Sequence, residues 1–172
     1  MVDQKVTGQT YEELIQEKLL KPLWLSHTYV PRTGDFPEAN AYGYILQEKA
    51  FVEVSGFQPS APWSAGAMIS NMYDLSRWIQ SLFGGFILDP KSLEMMQTFT
   101  PMTETISYGL GLMRLKDGRV GHSGAINGFY SGAWKIDRYT IVAITNSQSD
   151  MNTADILCDT VAEIIQDLNL SL

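Results

Sequence analysis

The sequence predicts an α/β protein, in finer terms an α+β sandwich, with an antiparallel sheet flanked by helices. Apolar residues recur at helical spacing in separate segments of both halves of the chain. Apolar strand-like segments in the second half are joined by the short turns Asp117-Gly118 and Asp137-Arg138, which are typical of antiparallel hairpins. With 172 residues, 45% of them hydrophobic, residues 1–172 are expected to form one domain with a substantial core.

The first helix is predicted over Tyr11–Leu20, after a short lead-in of residues 1–9. Thr10 is a suitable N-cap, and Glu13 three residues later completes a capping box. Pro22 ends this helix, because the residue before a proline avoids the helical conformation.

Residues 22–64 are predicted to be mostly irregular, since they hold five of the seven prolines. Short strands are expected near residues 42–46 and 51–54. A loop-rich stretch of this length inside a domain is uncommon and is often functional.

Two helices follow. One is predicted over Met72–Phe83, with Asn71 as its N-cap and a continuous apolar stripe toward the core. The next is short, Pro90–Gln97, with Asp89 as the cap and proline in the first helical position, where its missing N–H costs nothing.

Four strands are predicted next. Their ranges are Ile106–Leu115, Arg119–His122, Tyr130–Ile136 and Tyr139–Thr145. The last of them is apolar on both faces, which indicates a strand covered by other elements on both sides.

The C-terminal helix is predicted over Thr153–Leu168, capped by Asn152. Cys158, the only cysteine, lies in this helix and is expected to be a small core residue. The apolar residues of the helix predict its core-facing stripe as Ile156, Leu157, Val161, Ile164, Ile165 and Leu168.

Several kinds of function are disfavoured by composition. A net charge of −7 argues against nucleic acid as a partner, because affinity there depends on Lys and Arg at phosphates. The two histidines, His27 and His122, have no second histidine or cysteine at ligand spacing, so we expect no metal site. Gly109-Leu110-Gly111 is predicted inside a strand with no helix after it, and is therefore no nucleotide loop. We expect no cofactor.

The segment Gly121-His122-Ser123-Gly124 is the strongest candidate for a functional site. Neighbouring residues on a strand point to opposite faces, so His122 is a poor base for Ser123, and no Gly-x-Ser-x-Gly elbow is present. Taken alone, the triplet is also compatible with a glycine-rich strand end that carries a partly exposed histidine.

The order of several motifs resembles one family, the penicillin-recognising serine hydrolases of the class C β-lactamase type. That family includes D-alanyl-D-alanine carboxypeptidases, penicillin-binding proteins and related esterases. The motifs that resemble it are Thr7-Gly8-Gln9-Thr10-Tyr11, Ala65-Gly66-Ala67-Met68-Ile69-Ser70-Asn71, Tyr108-Gly109-Leu110-Gly111, His122-Ser123-Gly124, and Gly128-Phe129 with Ile141 to Asn146. The resemblance implies a β-lactamase/transpeptidase-like fold.

The resemblance also implies roles at the site. His122 would give the pocket hydrogen-bonding or positive character, and Ser123 would hold the carboxylate of a small peptide, β-lactam or ester substrate. Gly124 would complete the motif, the backbone N–H of Ala125 would form half of an oxyanion hole, and Asn146 is a further candidate pocket residue.

The sequence lacks two motifs of that family. No serine has lysine three places on, and no tyrosine has asparagine two places on. Both would precede residue 1, so we expect a C-terminal portion of the domain that is inactive alone. The alternative is a non-catalytic peptide- or protein-binding module.

The resemblance also bears on surroundings and assembly. It implies an extracytoplasmic or cell-envelope location. It places the missing N-terminal helix and first strands beside Tyr139–Thr145, and without them the exposed strand edge is expected to favour a homo-oligomer.

Overall fold

A six-stranded antiparallel sheet, in the order β3-β4-β5-β6-β7-β8, is the framework of the computed structural model. The structure describes residues 2–31, 41–56, 62–149 and 151–170. The strands are β1 Tyr44–Gln47, β2 Ala50–Glu53, β3 Thr100–Pro101, β4 Ile106–Tyr108, β5 Met113–Leu115, β6 Val120–Ile126, β7 Phe129–Ile136, β8 Tyr139–Thr145 and β9 Ser147–Gln148.

The helices agree closely with the sequence analysis. They are α1 Val2–Thr7, α2 Tyr11–Ile15, α3 Met72–Phe83, α4 Pro90–Met96 and α5 Thr153–Leu170. The predicted first helix continues beyond α2 as a π-helical turn, Gln16–Leu20. Two short helices were not predicted, α1 and a 3-10 turn at Trp63–Ala65. The caps at Thr10, Asn71 and Asp89 each accept hydrogen bonds from first-turn backbone N–H groups, as predicted.

Helices cover both faces of the large sheet. On one face α5 packs on β7 and β8, where Trp134, Ile141 and Ala143 are buried. On the other face α3 packs on the same two strands. The apolar strand β8 is therefore covered on both sides, which confirms the prediction made for Tyr139–Thr145.

The small sheet, in the order β2-β1-β9, joins the large one at the β6–β7 turn. β1 pairs antiparallel with β2 and parallel with β9. A Cβ on Gly128, which has φ +80°, would lie 2.6 Å from the Cα of Gly43, so only glycine permits this close contact.

The predicted strand Ile106–Leu115 is wrong as a single element. A turn at residues 109–112 divides it into β4 and β5, which pair with each other. Gly111 has φ +73°, and the N–H of Gly109 donates to the carbonyl of Leu112 at 2.8 Å. Gly111 suits this turn because glycine adopts positive φ without the steric cost that other residues meet, and a Cβ on Gly109 would lie 2.4 Å from the carbonyl oxygen of Met96.

The predicted core stripe of the C-terminal helix is also wrong, except at Ile165. The residues of α5 that are buried against the sheet are Ala154, Cys158, Ala162 and Ile165. A Cβ on Gly132 of β7 would lie 2.9 Å from the Cys158 sulfur, so the helix approaches too closely for large side chains. The predicted residues Ile156, Leu157, Val161, Ile164 and Leu168 are exposed.

Four of these exposed residues form a surface that we call the α5 apolar flank: Leu157, Val161, Ile164 and Leu168. On the opposite side of the helix, Asp159 pairs with Arg119 and Gln166 donates to the carbonyl of Asp117, both at the β5–β6 turn. The flank therefore faces away from β6, toward β8.

Candidate active site

The outer edge of β6 is open along most of its length. β7 pairs with all of β6, from Val120 to Ile126. On the other side β5 pairs only with Val120 and Gly121. From His122 onward, this edge of β6 therefore has no strand partner among the described residues.

The pairing pattern shows which backbone groups reach this edge. The N–H of Leu115 donates to the carbonyl of Arg119, so the backbone groups of Arg119 point toward β5. Along an antiparallel strand these directions alternate with a period of two residues. The N–H and C=O groups of Ser123 and Ala125 therefore point out of the open edge, where a ligand could meet them.

A large cavity adjoins the edge on the α3 side of the sheet. Its volume is about 760 Å³. His122, Gly124 and Ala125 contribute to it from β6. The opposite wall is mostly apolar and includes Tyr11, Trp63, Leu75 and Trp78. Such a cavity bordered by a few polar groups is typical of small-molecule sites.

The His122 imidazole is held at both nitrogens. Its Nε2 lies 2.9 Å from the Tyr108 hydroxyl, and the two rings meet edge to face with centroids 5.7 Å apart. Its Nδ1 contacts the carbonyl oxygen of Ser123. A carbonyl only accepts hydrogen bonds, so Nδ1 carries a hydrogen, and in the neutral ring Nε2 accepts from Tyr108.

Ser123 and Asn146 lie outside the cavity wall. Ser123 pairs with Gly132, which faces α5, so the Ser123 side chain points to the face opposite His122. The Asn146 side-chain amide donates to the carbonyl of Tyr42 at 2.9 Å, and the backbone carbonyl of Asn146 accepts from the Tyr44 N–H. Asn146 thereby links β8 to the small sheet.

The sequence analysis named Tyr108 in the Tyr108–Gly111 motif but assigned it no role at the site. It lies 14 residues before His122, and the β4–β5 turn brings the two together. The pair Gly109 and Gly111 was a signal for that turn, because two glycines so close together favour a bend over a continuous strand.

Two other ionisable groups near the sheet are engaged or buried. The Asp74 carboxylate is 6% exposed and accepts from the His27 N–H and the Thr28 hydroxyl, which ties residues 27–28 to the first turn of α3. Burial raises the pKa of the Cys158 thiol to about 11, so this cysteine stays protonated at neutral pH, which suits a core residue. Neither group is available as a nucleophile or base.

In residues 2–31, 41–56, 62–149 and 151–170, no three His, Cys, Asp or Glu side chains are grouped so that they could hold a metal ion. No helix there is both long and apolar enough to span a bilayer.

A model of the family named Beta-lactamase matches residues 2–163. The chain belongs to the β-lactamase family. Among curated relatives, Protein flp of Staphylococcus aureus (strain N315) is 29% identical over an alignment of 163 residues that covers 87% of this chain and 32% of that protein. The chain thus spans about a third of the length of the curated relatives it matches.

Solved structures similar to this member of the β-lactamase family have the same fold. A D-stereospecific amidohydrolase from Streptomyces sp. is 31% identical with a TM-score of 0.76, over 85% of this chain and 46% of that one. D-amino acid amidase from Ochrobactrum anthropi SV3, complexed with L-phenylalanine amide, is 25% identical with a TM-score of 0.83, over 99% and 55%. An octameric penicillin-binding protein homologue from Pyrococcus abyssi is 25% identical with a TM-score of 0.76, over 95% and 39%. The expected antiparallel sheet flanked by helices is confirmed.

Proposed function

We propose that this chain is the substrate-binding part of a β-lactamase-related serine hydrolase, and that residues 1–172 form the C-terminal portion of its domain. The complete protein would cleave D-alanyl peptides, β-lactams or small esters. The observation that carries the proposal is the open edge of β6, where the Ala125 N–H lies beside a 760 Å³ cavity.

The open edge of β6 could hold the acyl group of a substrate between the strand and the cavity. An extended substrate can pair with the backbone of Ser123 and Ala125, as peptides do when they add a strand to a sheet. Hydrolysis of an acyl group also needs N–H donors aimed at its developing oxyanion. The Ala125 N–H supplies one of them, and a second donor would come from the residue that carries the nucleophile.

The side chains divide between the two faces of β6. His122 lies on the cavity side, where its ring, held by Tyr108 and the Ser123 carbonyl, would border the reacting part of the substrate. Ser123 points to the other face, so its hydroxyl would hold a carboxylate of a substrate that crosses the strand edge. Gly124, between them, leaves the cavity side of the strand open.

The names of two structural neighbours indicate which of these substrates to favour. One is a D-stereospecific amidohydrolase and the other a D-amino acid amidase complexed with an amino acid amide. We therefore favour substrates in which the cleaved amide or ester adjoins a D-residue.

Assembly through β8 is the second part of this proposal. β8 ends the sheet and has no strand partner on its outer side within the described residues. One neighbour, the Pyrococcus abyssi homologue, is octameric. We propose that isolated copies of this chain associate through β8.

The first test uses the chain as it is. Purified residues 1–172 are incubated with a fluorescent penicillin and with D-phenylalanine amide, and adducts and products are followed by mass spectrometry. We expect neither turnover nor an acyl adduct, because Ser-x-x-Lys and Tyr-x-Asn are absent. Specific acylation of any serine would refute the assignment of the nucleophile to residues outside this chain.

The second test uses a longer polypeptide that carries this chain together with the residues upstream of it. We expect that polypeptide to be acylated and to turn substrate over. Ser123→Ala should lower turnover while the acyl-enzyme stays detectable, and Ser81→Ala on α3 should leave both unchanged. Tight binding of a peptide to residues 1–172 without any hydrolysis by the longer polypeptide would favour the binding-module alternative.

A further inference from the structure

The contact between Tyr108 and His122 has no part in the roles assigned above. Tyr108 ends β4, and its hydroxyl lies 2.9 Å from Nε2 of His122, two strands away. β5 lies between them and is too short to cover His122. The tyrosine therefore reaches the histidine in the part of the sheet where β6 lacks a neighbour.

The carbonyl of Ser123 explains why the ring needs such a partner. Because the pairing of β6 with β5 ends at Gly121, the Ser123 carbonyl has no neighbouring strand from which to accept a hydrogen bond, and the Nδ1–H of His122 satisfies it instead. This fixes the hydrogen on Nδ1 and leaves Nε2 as the acceptor. A half-buried acceptor without a donor is unfavourable, and the Tyr108 hydroxyl supplies the donor.

A hydroxyl suits this position better than other donors. It donates to Nε2 when the imidazole is neutral, and it accepts from Nε2–H when the imidazole is protonated. The charge of His122 can therefore change without loss of a hydrogen bond or rotation of the ring. A lysine or an amide N–H in place of the hydroxyl could not accept from the protonated ring.

We propose that Tyr108 is a positioning residue that holds His122 in its Nδ1-protonated form and keeps the ring orientation constant when its charge changes. The value of this for catalysis rests on the proposed hydrolase function. The tautomer itself does not, since it can be measured in residues 1–172 alone.

The first measurement is the nitrogen chemical shifts of the histidines in ¹⁵N-labelled wild-type chain, above the pH at which the rings lose their charge. The chain has only two histidines, and the other one, His27, has a side chain that is 71% exposed and an Nδ1 that lies 3.2 Å from the Ser26 hydroxyl, so it serves as a reference remote from Tyr108. We expect His122 to carry its hydrogen mainly on Nδ1. A spectrum in which Nε2 carries the hydrogen of His122 would overturn the proposal without any variant.

The second measurement compares Tyr108→Phe with Tyr139→Phe. Tyr139 lies on β8 and its hydroxyl accepts from Arg138, so it is a matched control remote from His122. Loss of one hydrogen bond should change the tautomer ratio of His122 by about two- to tenfold in Tyr108→Phe only. An unchanged ratio, in a variant whose circular dichroism matches wild type, would show that Tyr108 does not position the ring.

The third measurement uses the longer polypeptide. Tyr108→Phe should lower kcat about two- to tenfold with little change in KM, and should alter the pH profile of kcat because the protonated ring loses its acceptor. A wild-type pH profile would refute the link to catalysis. If the polypeptide hydrolyses nothing, the proposed function fails, and the tautomer measurements still decide the role of Tyr108.

Discussion

Two stretches of unpaired backbone in the described part of the large sheet, one on β6 and one on β8, differ in what surrounds them. At β6 the unpaired backbone lies beside glycines, a histidine and a cavity, and one of its carbonyls is already satisfied by His122. At β8 the unpaired backbone lies beside the α5 apolar flank on one face of the sheet and the exposed Met72 and Tyr73 of α3 on the other.

On our proposal, β6 is an edge that binds a ligand (the ligand edge) and β8 is an edge that binds protein (the protein edge). Small residues beside β6 would let a compact substrate reach the backbone. Large apolar side chains beside β8 gain stability only when a protein surface covers them, because burial is worth about 25 cal/mol per Å² of apolar area. We propose that the same unpaired strand geometry serves two functions, which the neighbouring side chains determine.

The largest effect is expected where β5 stops pairing with β6. A Cβ on Gly121 would lie 2.0 Å from the carbonyl oxygen of Ala133, which is backbone and cannot move aside. Gly121→Ala should force β6 from β7 and lower the free energy of unfolding by about 3 kcal/mol or more. Urea denaturation measures this loss.

Gly56→Ala is the control for that substitution. A Cβ on Gly56 meets nothing within 4 Å, and we expect a change within about 0.5 kcal/mol. Equal stabilities of the two variants would show that β6 and β7 are not packed as described.

The next effect contrasts two adjacent isoleucines on α5. Ile165 is 9% exposed and lies in the core, whereas Ile164 is 53% exposed and belongs to the α5 apolar flank. Ile165→Ala should cost about 2–5 kcal/mol and Ile164→Ala less than about 1 kcal/mol in the monomer. Chemical denaturation at low protein concentration gives both values, and a reversed order would place the flank in the core.

These isoleucines also show what the sequence could and could not predict. Helical periodicity located α5 and its cap correctly, since both depend on local residues. It assigned the wrong face to the core because hydrophobicity alone favours Leu157 and Ile164 over Ala154 and Ala162. The face of α5 that packs on the sheet is determined by the close approach of β7 at Gly132, which is a tertiary contact.

The candidate site shows the same limit. The motif at His122–Ala125 could be recognised from residue order, and the structure places three of its four residues on the cavity. Tyr108 could not be found by spacing within a strand, because the β4–β5 turn was predicted as a continuous strand. Whether β6 has an open edge depends on where β5 stops, and that is set by pairing between distant segments.

A third prediction tests the protein edge through association. The two-residue turn Asp137-Arg138 closes the pair Ile136 and Tyr139, so alternation directs the backbone groups of Thr140, Val142 and Ile144 outward. Thr140→Lys should lower the dimer fraction severalfold in sedimentation velocity, because a charge on an edge strand opposes pairing. Thr105→Lys, in an exposed loop, should not. A monomer at every concentration in wild type would contradict association through β8.

Amide hydrogen exchange distinguishes the two edges in the same samples. In dilute protein the Val142 and Ala125 amides should exchange fast, while those of Ile141 and Ala143, which face β7, exchange slowly. In concentrated protein only Val142 should become protected, because only the protein edge gains a partner. Slow exchange at Val142 in dilute samples would mean that the chain closes this edge by itself.

The smallest effect is expected at Asp155 of α5, which lies against β7 between the two edges, and it depends on pH. Burial, and then the charge of Asp159, raise the pKa of the Asp155 carboxyl above its usual value of 3.8, although Arg119 partly offsets them. Its Oδ1 is buried without a hydrogen bond among the described residues. A raised pKa means that the folded state binds the proton more tightly than the unfolded chain does. Stability from this group therefore falls as pH rises through the window above 3.8.

Asp155→Asn tests this sign, because the amide oxygen can still accept from Asn152 while the charge is removed. The variant should exceed wild type in thermal stability at pH 7, by less than about 1 kcal/mol since the carboxyl is only half buried, and the gain should vanish near pH 3. Asp159→Asn should lower thermal stability at pH 7, because Asp159 pairs with Arg119. If both variants lose stability at pH 7, the charged form of Asp155 stabilises the fold, and its attraction to Arg119 outweighs burial and the repulsion from Asp159.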